Sequence, residues 1–174
     1  MSTEPQKLLF LDRDGTLIYD KHYMHDPKLV EFVPNCLLAL KKFKERGYLF
    51  YVITNQSGIG RGFFNEEQMH SVHHKMDELF AKEGIKIEQY LHCPHAPEDN
   101  CDCRKPSPKL INLVLKDLNY DPKFSFMIGD KQSDVDAGLN AGIQGVLVKK
   151  DANSERPGEF LDLLEMYQSI YNKE

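Results

Sequence analysis

The stretch Leu8-Leu9-Phe10-Leu11-Asp12-Arg13-Asp14-Gly15 decides the architecture of this chain. Four consecutive apolar residues are typical of a strand buried in a parallel sheet, and Asp and Gly are typical of the turn that follows. In open α/β sheets, ligands bind outside the carboxyl ends of the strands, which is where Asp12 and Asp14 lie. One carboxylate can attack while the other transfers protons. An ordinary strand-to-loop turn explains the same residues, so this stretch alone leaves both interpretations open.

The composition indicates a soluble, folded domain. The chain has 174 residues, of which 41% are hydrophobic and 28% charged, enough for a core of its own. Its net charge of -5 disfavours a nucleic-acid partner. No apolar stretch is long enough to span a bilayer, and residues 1–7 lack the pattern of a secretion signal. We therefore expect a single domain over residues 1–174, monomeric and cytoplasmic, with no membrane partner.

Apolar runs alternate with helical patterns along the rest of the chain. The further predicted strands are Leu49–Ile53, Ile87–Leu91, Phe124–Ile128 and Val146–Val148. The predicted helices are Pro34–Arg46, a helix capped by Asn65 and running to about Glu83, Ser107–Leu118, Ser133–Ala141 and Phe160–Tyr171. This alternation predicts an α/β fold, with a mostly parallel sheet covered by helices on both faces.

Polar residues cluster after the predicted strands. The segment Thr54–Gly58 follows the second strand, Lys105 precedes a helix, and Asp130 and Asp134 follow a later strand. Each is ordinary loop chemistry taken alone, and an isolated lysine is usually a solvated surface charge. With the first carboxylate pair they supply a nucleophile, a proton carrier, a hydroxyl, a cation and a metal carboxylate on one rim. That set favours phosphoryl transfer.

A second cluster is formed by Cys93-Pro94-His95 and Cys101-Asp102-Cys103. Three cysteines within eleven residues favour a metal site over disulfides in a reducing compartment. Thiolates with one imidazole suit tetrahedral Zn²⁺, and four protein ligands leave no open position, so the zinc is expected to be structural. The predicted ligands are Cys93, His95, Cys101 and Cys103. The expected role of the zinc is to fix the loop that carries Arg104 and Lys105. The alternative is a cysteine-rich loop without metal.

The remaining histidines are not expected to bind metal. His70, His73 and His74 lie on one predicted helix, and a solvated or half-buried helix face explains their spacing.

Four motifs carry a family resemblance: DRDGT from Asp12, TNQSG from Thr54, RKP from Arg104 and GDKQSD from Gly129. In this order they resemble the signature motifs of the haloacid dehalogenase (HAD) superfamily of phosphatases. The DRDGTL start and the CPH…CDCRKP loop resemble its small zinc-bearing subgroup, which includes heptose bisphosphate and histidinol phosphate phosphatases. The resemblance implies a capless HAD fold, a Rossmann-like three-layer sandwich with a zinc-bound loop.

The resemblance also implies roles for the matching residues. Asp12 would be the nucleophile that forms an aspartyl-phosphate, and Asp14 the general acid and then the general base. Mg²⁺ would be bound by the side chains of Asp12 and Asp130 and by the backbone carbonyl of Asp14. Thr54 and Lys105 would hold the transferred phosphate. Asp134 is expected to orient its loop rather than to bind the metal.

Two loops, Tyr19–Tyr23 and Ile59–Phe64, are expected to select the substrate. The runs YDKHYMHDPKLVEF and TNQSGIGRG resemble heptose-1,7-bisphosphate phosphatases. The substrate contacts that this implies are Asp20, Lys21, His22, Tyr23, Thr54, Asn55, Gln56, Ser57, Arg104, Lys105 and Lys131. Arg104 would bind the second phosphate, since a guanidinium suits a phosphate group. The short gap between the His and the paired Cys is closer to histidinol phosphatases.

We therefore expect a Mg²⁺-dependent phosphomonoesterase that acts on a small phosphorylated sugar. The leading hypothesis is removal of the 7-phosphate of D-glycero-D-manno-heptose 1,7-bisphosphate, which the resemblance links to ADP-heptose and lipopolysaccharide-core precursor synthesis. A histidinol-phosphate phosphatase is the alternative within the same class. Two non-catalytic alternatives are a phosphate-receiving switch, which would lack the second carboxylate of the DxD pair, and a zinc-loop binding module, which the acidic charge disfavours.

Overall fold

The computed structural model describes residues 4–151 and 155–172. Within these ranges, the strands are β1 Gln6–Leu11, β2 Tyr48–Asn55, β3 Ile87–Cys93, β4 Tyr120–Gly129, β5 Gln144–Val148 and β6 Glu159–Phe160. The helices are α1 Cys36–Glu45, α2 Ser57–Gly60, α3 Glu66–Lys82, α4 Lys109–Leu115, α5 Gln132–Asn140 and α6 Leu163–Tyr171. Short 3₁₀ turns occur at Pro27–Leu29 and Pro97–Asp99.

The strands form one parallel sheet in the order β3-β2-β1-β4-β5-β6. Strand β1 is central, and its last residue, Leu11, pairs with Val52 of β2 on one side and Ile128 of β4 on the other. The order reverses between β1 and β4, which is the Rossmann arrangement and opens a crevice at the carboxyl ends of these two strands. The predicted α/β fold is confirmed.

Helices cover both faces of the sheet, and β1 shows the reason. Leu9 and Leu11 pack with α1, α3 and α6, whereas Leu8 and Phe10 pack with α4. Successive side chains of a strand point to opposite faces, so an unbroken apolar run requires a cover on each side. All four side chains are fully buried. The result is the three-layer sandwich expected from the sequence.

One predicted helix boundary is confirmed by the structure and another is wrong. The cap at Asn65 is confirmed, because its side chain accepts from the Gln68 amide (2.9 Å) while the Gln68 side chain accepts from the Asn65 amide (3.0 Å). Helix α6 begins at Leu163 rather than at Phe160, because Phe160 instead forms β6. None of the helices in the described ranges has the length and apolar character needed to cross a membrane.

Candidate active site

The carboxyl ends of the central strands open onto a cavity of about 400 Å³. Ten of the predicted site residues line it: Asp12, Asp14, Asp20, Tyr23, Asn55, Gln56, Ser57, Arg104, Lys105 and Lys131. Four others lie close by but outside this lining: Lys21, His22, Thr54 and Asp130. The fold therefore gathers into one crevice residues that are spread over most of the sequence.

A buried lysine lies at the base of the cavity between two carboxylates. Lys105 Nζ is 2.7 Å from Asp12 Oδ1 and 2.6 Å from Asp134 Oδ1, and it donates to the Ile53 carbonyl at 2.7 Å. Burial alone would lower the pKa of Lys105, but the charges of Asp12 and Asp134 outweigh burial and raise it. Lys105 is therefore a fixed positive charge next to the proposed nucleophile.

Carboxylate oxygens of Asp12, Asp130 and Asp134 lie within 4.8 Å of one another. Asp130 Oδ1 is buried and has no hydrogen-bond partner among the described residues. Burial, reinforced by the charge of Asp12, raises the pKa of Asp130 to about 6. Two lysine charges, those of Lys105 and Lys131, act on these three carboxylates, which leaves an excess of negative charge. Oxygen ligands with unsatisfied charge suit Mg²⁺, so the residues present fit this ion.

Gly15 allows the first loop to approach this carboxylate group closely. Its φ is +86°, and a Cβ atom there would overlap the Asp130 carboxylate. Any side chain would therefore both strain the backbone and displace Asp130.

Asp14 also lines the cavity, and its carboxylate is held by two neighbours. Arg13 Nε donates to Asp14 Oδ2 (3.1 Å), Arg13 Nη2 donates to Asp14 Oδ1 (3.2 Å), and Gln56 Nε2 donates to Asp14 Oδ2 (3.0 Å). Burial raises the pKa of Asp14 above its usual value, the charge of Asp12 adds to this, and Arg13 opposes it. A carboxyl with a raised pKa can carry the proton that a general acid needs.

Thr54 is buried, and the side-chain amide of Gln56 connects its hydroxyl to Asp14. Gln56 Nε2 donates to Thr54 Oγ1 at 2.6 Å as well as to Asp14. Because the Thr54 hydroxyl accepts this bond, its own hydrogen is available for a phosphate oxygen.

The less buried part of the cavity lining carries further cations. Arg104 and Lys131 line it, and Arg104 Nη1 is buried without a hydrogen-bond partner in the described part of the chain. Lys21 instead lies near Glu31 (3.4 Å), and the His22 amide donates to Asp20 (2.9 Å). Substrate contacts by Lys21 and His22 stay predictions.

The two loops expected to select substrate contact each other at the cavity mouth. The rings of Tyr23 and Phe63 meet edge to face, with centroids 4.7 Å apart. A Cβ atom on Gly58 would overlap both Phe64 and Tyr23. The absence of a side chain at Gly58 thus lets the second loop close against the first.

The predicted zinc ligands also converge. The sulfur of Cys101 is 3.5 Å from that of Cys93 and 3.7 Å from that of Cys103, while His95 Nδ1 is 3.6 Å from Cys93 Sγ and 3.3 Å from Cys103 Sγ. These separations are far longer than a disulfide bond of about 2.05 Å. They approach the edge of about 3.8 Å in a tetrahedron of sulfurs around zinc, given a Zn–S bond of about 2.3 Å.

The thiols of this cluster differ in acidity. Burial raises the pKa of Cys93 to about 12. Burial opposes ionisation of Cys101 too, but hydrogen bonds from the backbone of Cys103 and Arg104 and from the Cys93 side chain lower its pKa to about 6. The cluster therefore offers one ready thiolate, the form that binds metal.

Sequence reasoning missed two residues of the site. Arg13 is fully buried beneath Asp14, and His73 is only 4% exposed, although a solvated or half-buried face was expected for its helix. The correction has a physical cause, because His73 Nε2 lies 3.1 Å from Arg13 Nη1. Spacing within α3 carries no signal for a partner sixty positions earlier in the chain.

Comparison with known proteins identifies the family of this chain. A HAD-hydrolase-like family model matches residues 102–162. The D-glycero-beta-D-manno-heptose-1,7-bisphosphate 7-phosphatase of Pasteurella multocida is 41% identical over 151 residues, covering 83% of this chain and 82% of the relative. The histidine biosynthesis bifunctional protein HisB of Blochmanniella floridana is 40% identical over 152 residues, 80% of this chain but 40% of that protein.

A solved structure matches nearly the whole chain. It is the D,D-heptose 1,7-bisphosphate phosphatase from B. bronchiseptica complexed with magnesium and phosphate, with a TM-score of 0.85 and 27% identity, covering 97% of this chain and 100% of that one. The chain is thus a HAD phosphatase, and it belongs to the family of the D-glycero-D-manno-heptose-1,7-bisphosphate 7-phosphatases.

Proposed function

We propose that this chain is a Mg²⁺-dependent phosphomonoesterase that removes the 7-phosphate of D-glycero-D-manno-heptose 1,7-bisphosphate. The observation that carries the proposal is the division of one cavity into two parts. Asp12 and Lys105 form the buried part of its lining, whereas Arg104 is half-buried and Lys131 is exposed. A base suited to phosphoryl transfer and an outer pair of cations match a substrate with two phosphates.

The first step transfers the phosphoryl group to Asp12. An Asp12 oxygen attacks phosphorus as the bond from phosphorus to the sugar oxygen breaks. The sugar oxygen takes the Asp14 proton, which the raised pKa of Asp14 keeps available. Lys105, charged and 2.7 Å from Asp12, offsets the charge on the transferred group, and the Thr54 hydroxyl can donate to one of its oxygens.

The second step returns the enzyme to its starting state. Asp14, now ionised, takes a proton from a water molecule as that water attacks phosphorus, and the Asp12–phosphate bond breaks to release inorganic phosphate. Asp12 and Asp130, with the Asp14 backbone carbonyl, would hold the Mg²⁺. The ion would supply positive charge against the phosphoryl oxygens.

Histidinol phosphate is the second candidate substrate. The five residues between His95 and Cys101 and the match to HisB favour it. This substrate has one phosphate and a cationic amine, which would meet the outer cations Arg104 and Lys131 unfavourably. The charge of the outer cavity therefore supports the heptose bisphosphate.

We also propose a structural Zn²⁺ on Cys93, His95, Cys101 and Cys103. Their ligand atoms are spaced as a tetrahedral ion requires, and Arg104 and Lys105 follow directly in the sequence. Both clusters of predicted metal ligands lie at or after the carboxyl ends of strands of one sheet, which supports a single phosphatase domain over residues 1–174.

The decisive experiment measures phosphate release from both anomers of the heptose bisphosphate, from fructose bisphosphate and from histidinol phosphate, with Mg²⁺ or with chelator. We expect Mg²⁺-dependent release of one phosphate per heptose, with ³¹P NMR showing that the 1-phosphate remains. Higher kcat/KM on histidinol phosphate, or loss of the 1-phosphate, would overturn the proposal.

A matched variant tests the outer cations. Arg104→Met should lower kcat/KM for the bisphosphate by about 10-fold or more, because a charge-assisted contact contributes about 1.5–3 kcal/mol. The same substitution should lower kcat/KM for a simple alkyl monophosphate far less. An equal loss on both substrates would place Arg104 at the transferred phosphate instead.

A further inference from the structure

Arg13 lies between Asp12 and Asp14 in the sequence, and its guanidinium is buried next to the active-site cavity. Besides its two bonds to Asp14, Arg13 donates through Nη2 to Gln56 Oε1 (3.0 Å) and to the Met24 carbonyl (3.3 Å). Its side chain is fully buried. Arg13 therefore fixes the plane of the Asp14 carboxyl from below.

The other end of this guanidinium is held by an imidazole from α3. His73 Nε2 lies 3.1 Å from Arg13 Nη1. Arginine can only donate, so Nε2 must be the accepting nitrogen and the ring hydrogen must be on Nδ1. Burial, and then the charge of Arg13, lower the pKa of His73 to about 2, so the ring is neutral.

The imidazole is itself fixed by a neighbouring strand. It stacks on the ring of Tyr90, with centroids 4.4 Å apart and planes 15° from parallel, and the Tyr90 hydroxyl donates to Asp77 at 2.8 Å. The stacking on Tyr90 and the contact with Arg13 hold the His73 ring, while Nδ1 is buried without a hydrogen-bond partner in the described part of the chain.

We propose that His73 is a positioning residue for catalysis, which acts through Arg13 to hold Asp14 in the orientation needed for proton transfer to the leaving oxygen. The inference rests on the proposed role of Asp14 as general acid. Without an acceptor at position 73, one Arg13 N–H is left buried and unpaired, and the guanidinium shifts to find another partner. Asp14 shifts with it.

The consequence depends on the leaving group. An alkoxide needs a proton as it departs, whereas 4-nitrophenolate departs without one. A misplaced Asp14 should therefore slow phosphoryl transfer from an alkyl phosphate while sparing transfer from 4-nitrophenyl phosphate. A residue that only supports packing would slow both.

The test compares His73→Leu, which removes the acceptor, with His73→Gln, whose side-chain oxygen can replace it. Asp14→Asn is the reference for a lost acid, and His74→Leu, an exposed neighbour on the same helix, is the control. Single-turnover rates are measured on the heptose bisphosphate, and the burst of nitrophenolate is measured on 4-nitrophenyl phosphate.

We expect His73→Leu to lower the single-turnover rate on the heptose bisphosphate by about 10- to 100-fold. This is a part of the 10²–10⁴-fold acceleration that general acid catalysis supplies. The nitrophenolate burst of this variant should change by less than about 3-fold, which is under 1 kcal/mol. His73→Gln and His74→Leu should resemble the unmodified enzyme. Equal losses on both substrates, or no loss on either, would overturn the inference.

Two further outcomes keep the result unambiguous. If Asp14→Asn shows no dependence on the leaving group, the role of Asp14 itself is wrong and the inference is overturned with it. Should His73→Leu not fold, ¹⁵N NMR of the unmodified protein decides the matter. A neutral ring with the hydrogen on Nδ1 supports the inference, and a hydrogen on Nε2 contradicts it.

Discussion

The carboxylate group at the cavity base and the Cys/His cluster are assembled in opposite ways. Asp12 and Lys105 are 93 positions apart, and the parallel strands bring them to 2.7 Å. The four residues of the Cys/His cluster come from eleven consecutive positions, Cys93 to Cys103, at the end of β3 and in the loop after it. One site is a product of the whole fold, and the other of a short segment.

The two sites also differ in what satisfies their charges. Lys105 lies between Asp12 and Asp134, so the base of the cavity carries part of its own counter-charge. In the Cys/His cluster, sulfur atoms lie 3.5 and 3.7 Å apart with weak hydrogen bonds between them. We infer that the first site keeps its geometry without a ligand, whereas the second depends on its metal.

The largest expected effect comes from the nucleophile. Asp12→Asn should lower kcat by about 10⁴-fold or more, since an amide oxygen cannot form the covalent intermediate. Zinc content and the circular dichroism spectrum should be unchanged, which separates the two sites. Turnover at the unmodified rate would show that Asp12 is not the nucleophile.

Removal of the Lys105 charge tests whether the catalytic site keeps its geometry without a bound ligand. In Mg²⁺-free buffer, Lys105→Met should lower the free energy of unfolding by about 3–5 kcal/mol, because Asp12 and Asp134 are left buried without their cation. Added Mg²⁺ should restore part of that loss by supplying positive charge. Denaturant unfolding with and without Mg²⁺ measures both effects.

The control for this variant is Lys109→Met, which breaks the exposed pair with Asp102. We expect no measurable change in stability there. Equal effects of the two lysine substitutions would contradict the account of the buried charge.

Loss of the metal tests the dependence of the Cys/His cluster on zinc. Cys101→Ser should yield a protein without bound zinc and with activity lowered by about 10-fold or more, the scale typical of lost support around a metal site. The loop that carries Arg104 and Lys105 is then less well fixed. Cys36→Ala, at a buried cysteine outside the cluster, should retain one zinc by elemental analysis. Full activity in a demonstrably zinc-free protein would exclude this role.

The last effect concerns proton uptake by the buried imidazole of His73, which changes stability with pH. His73 has a folded-state pKa of about 2, below its ordinary 6.5, so between these values only the unfolded chain binds this proton. The free energy of unfolding should therefore fall as the pH drops from 6 to 4, by about 1.4 kcal/mol per pH unit from this group. His73→Gln should lack that contribution. Identical pH profiles of stability for the two proteins would show that His73 titrates normally.

Local patterns in the sequence predicted most of the fold. The apolar runs located β1, β2 and β4 because strands buried on both faces are continuously apolar, and shorter or interrupted apolar patterns located the less buried β3 and β5. The start of α1 was wrong, since Pro34 was expected in its first turn and the helix begins at Cys36. Asn35 has a left-handed φ of 61° and its side chain donates to Asp162 (2.7 Å), a contact between distant segments that local signals do not encode.

The same limit applies to the site. The motifs placed Asp12, Asp14, Lys105 and Asp130 together, because the ends of parallel strands share one edge of the sheet. The interior partners Arg13 and His73 were not found, because charged and polar residues are mostly exposed and only a specific pairing reverses that tendency. Such pairings depend on three-dimensional proximity and have no signature in sequence spacing.

The most direct test of the central claim is chemical trapping of the acyl phosphate. During turnover of the heptose bisphosphate, the enzyme is quenched and reduced with borohydride, which converts an aspartyl-phosphate to homoserine. Peptide mass spectrometry should find homoserine at position 12 and unmodified aspartate at positions 14 and 130. Homoserine at another position, or at none while phosphate is being released, would contradict the account.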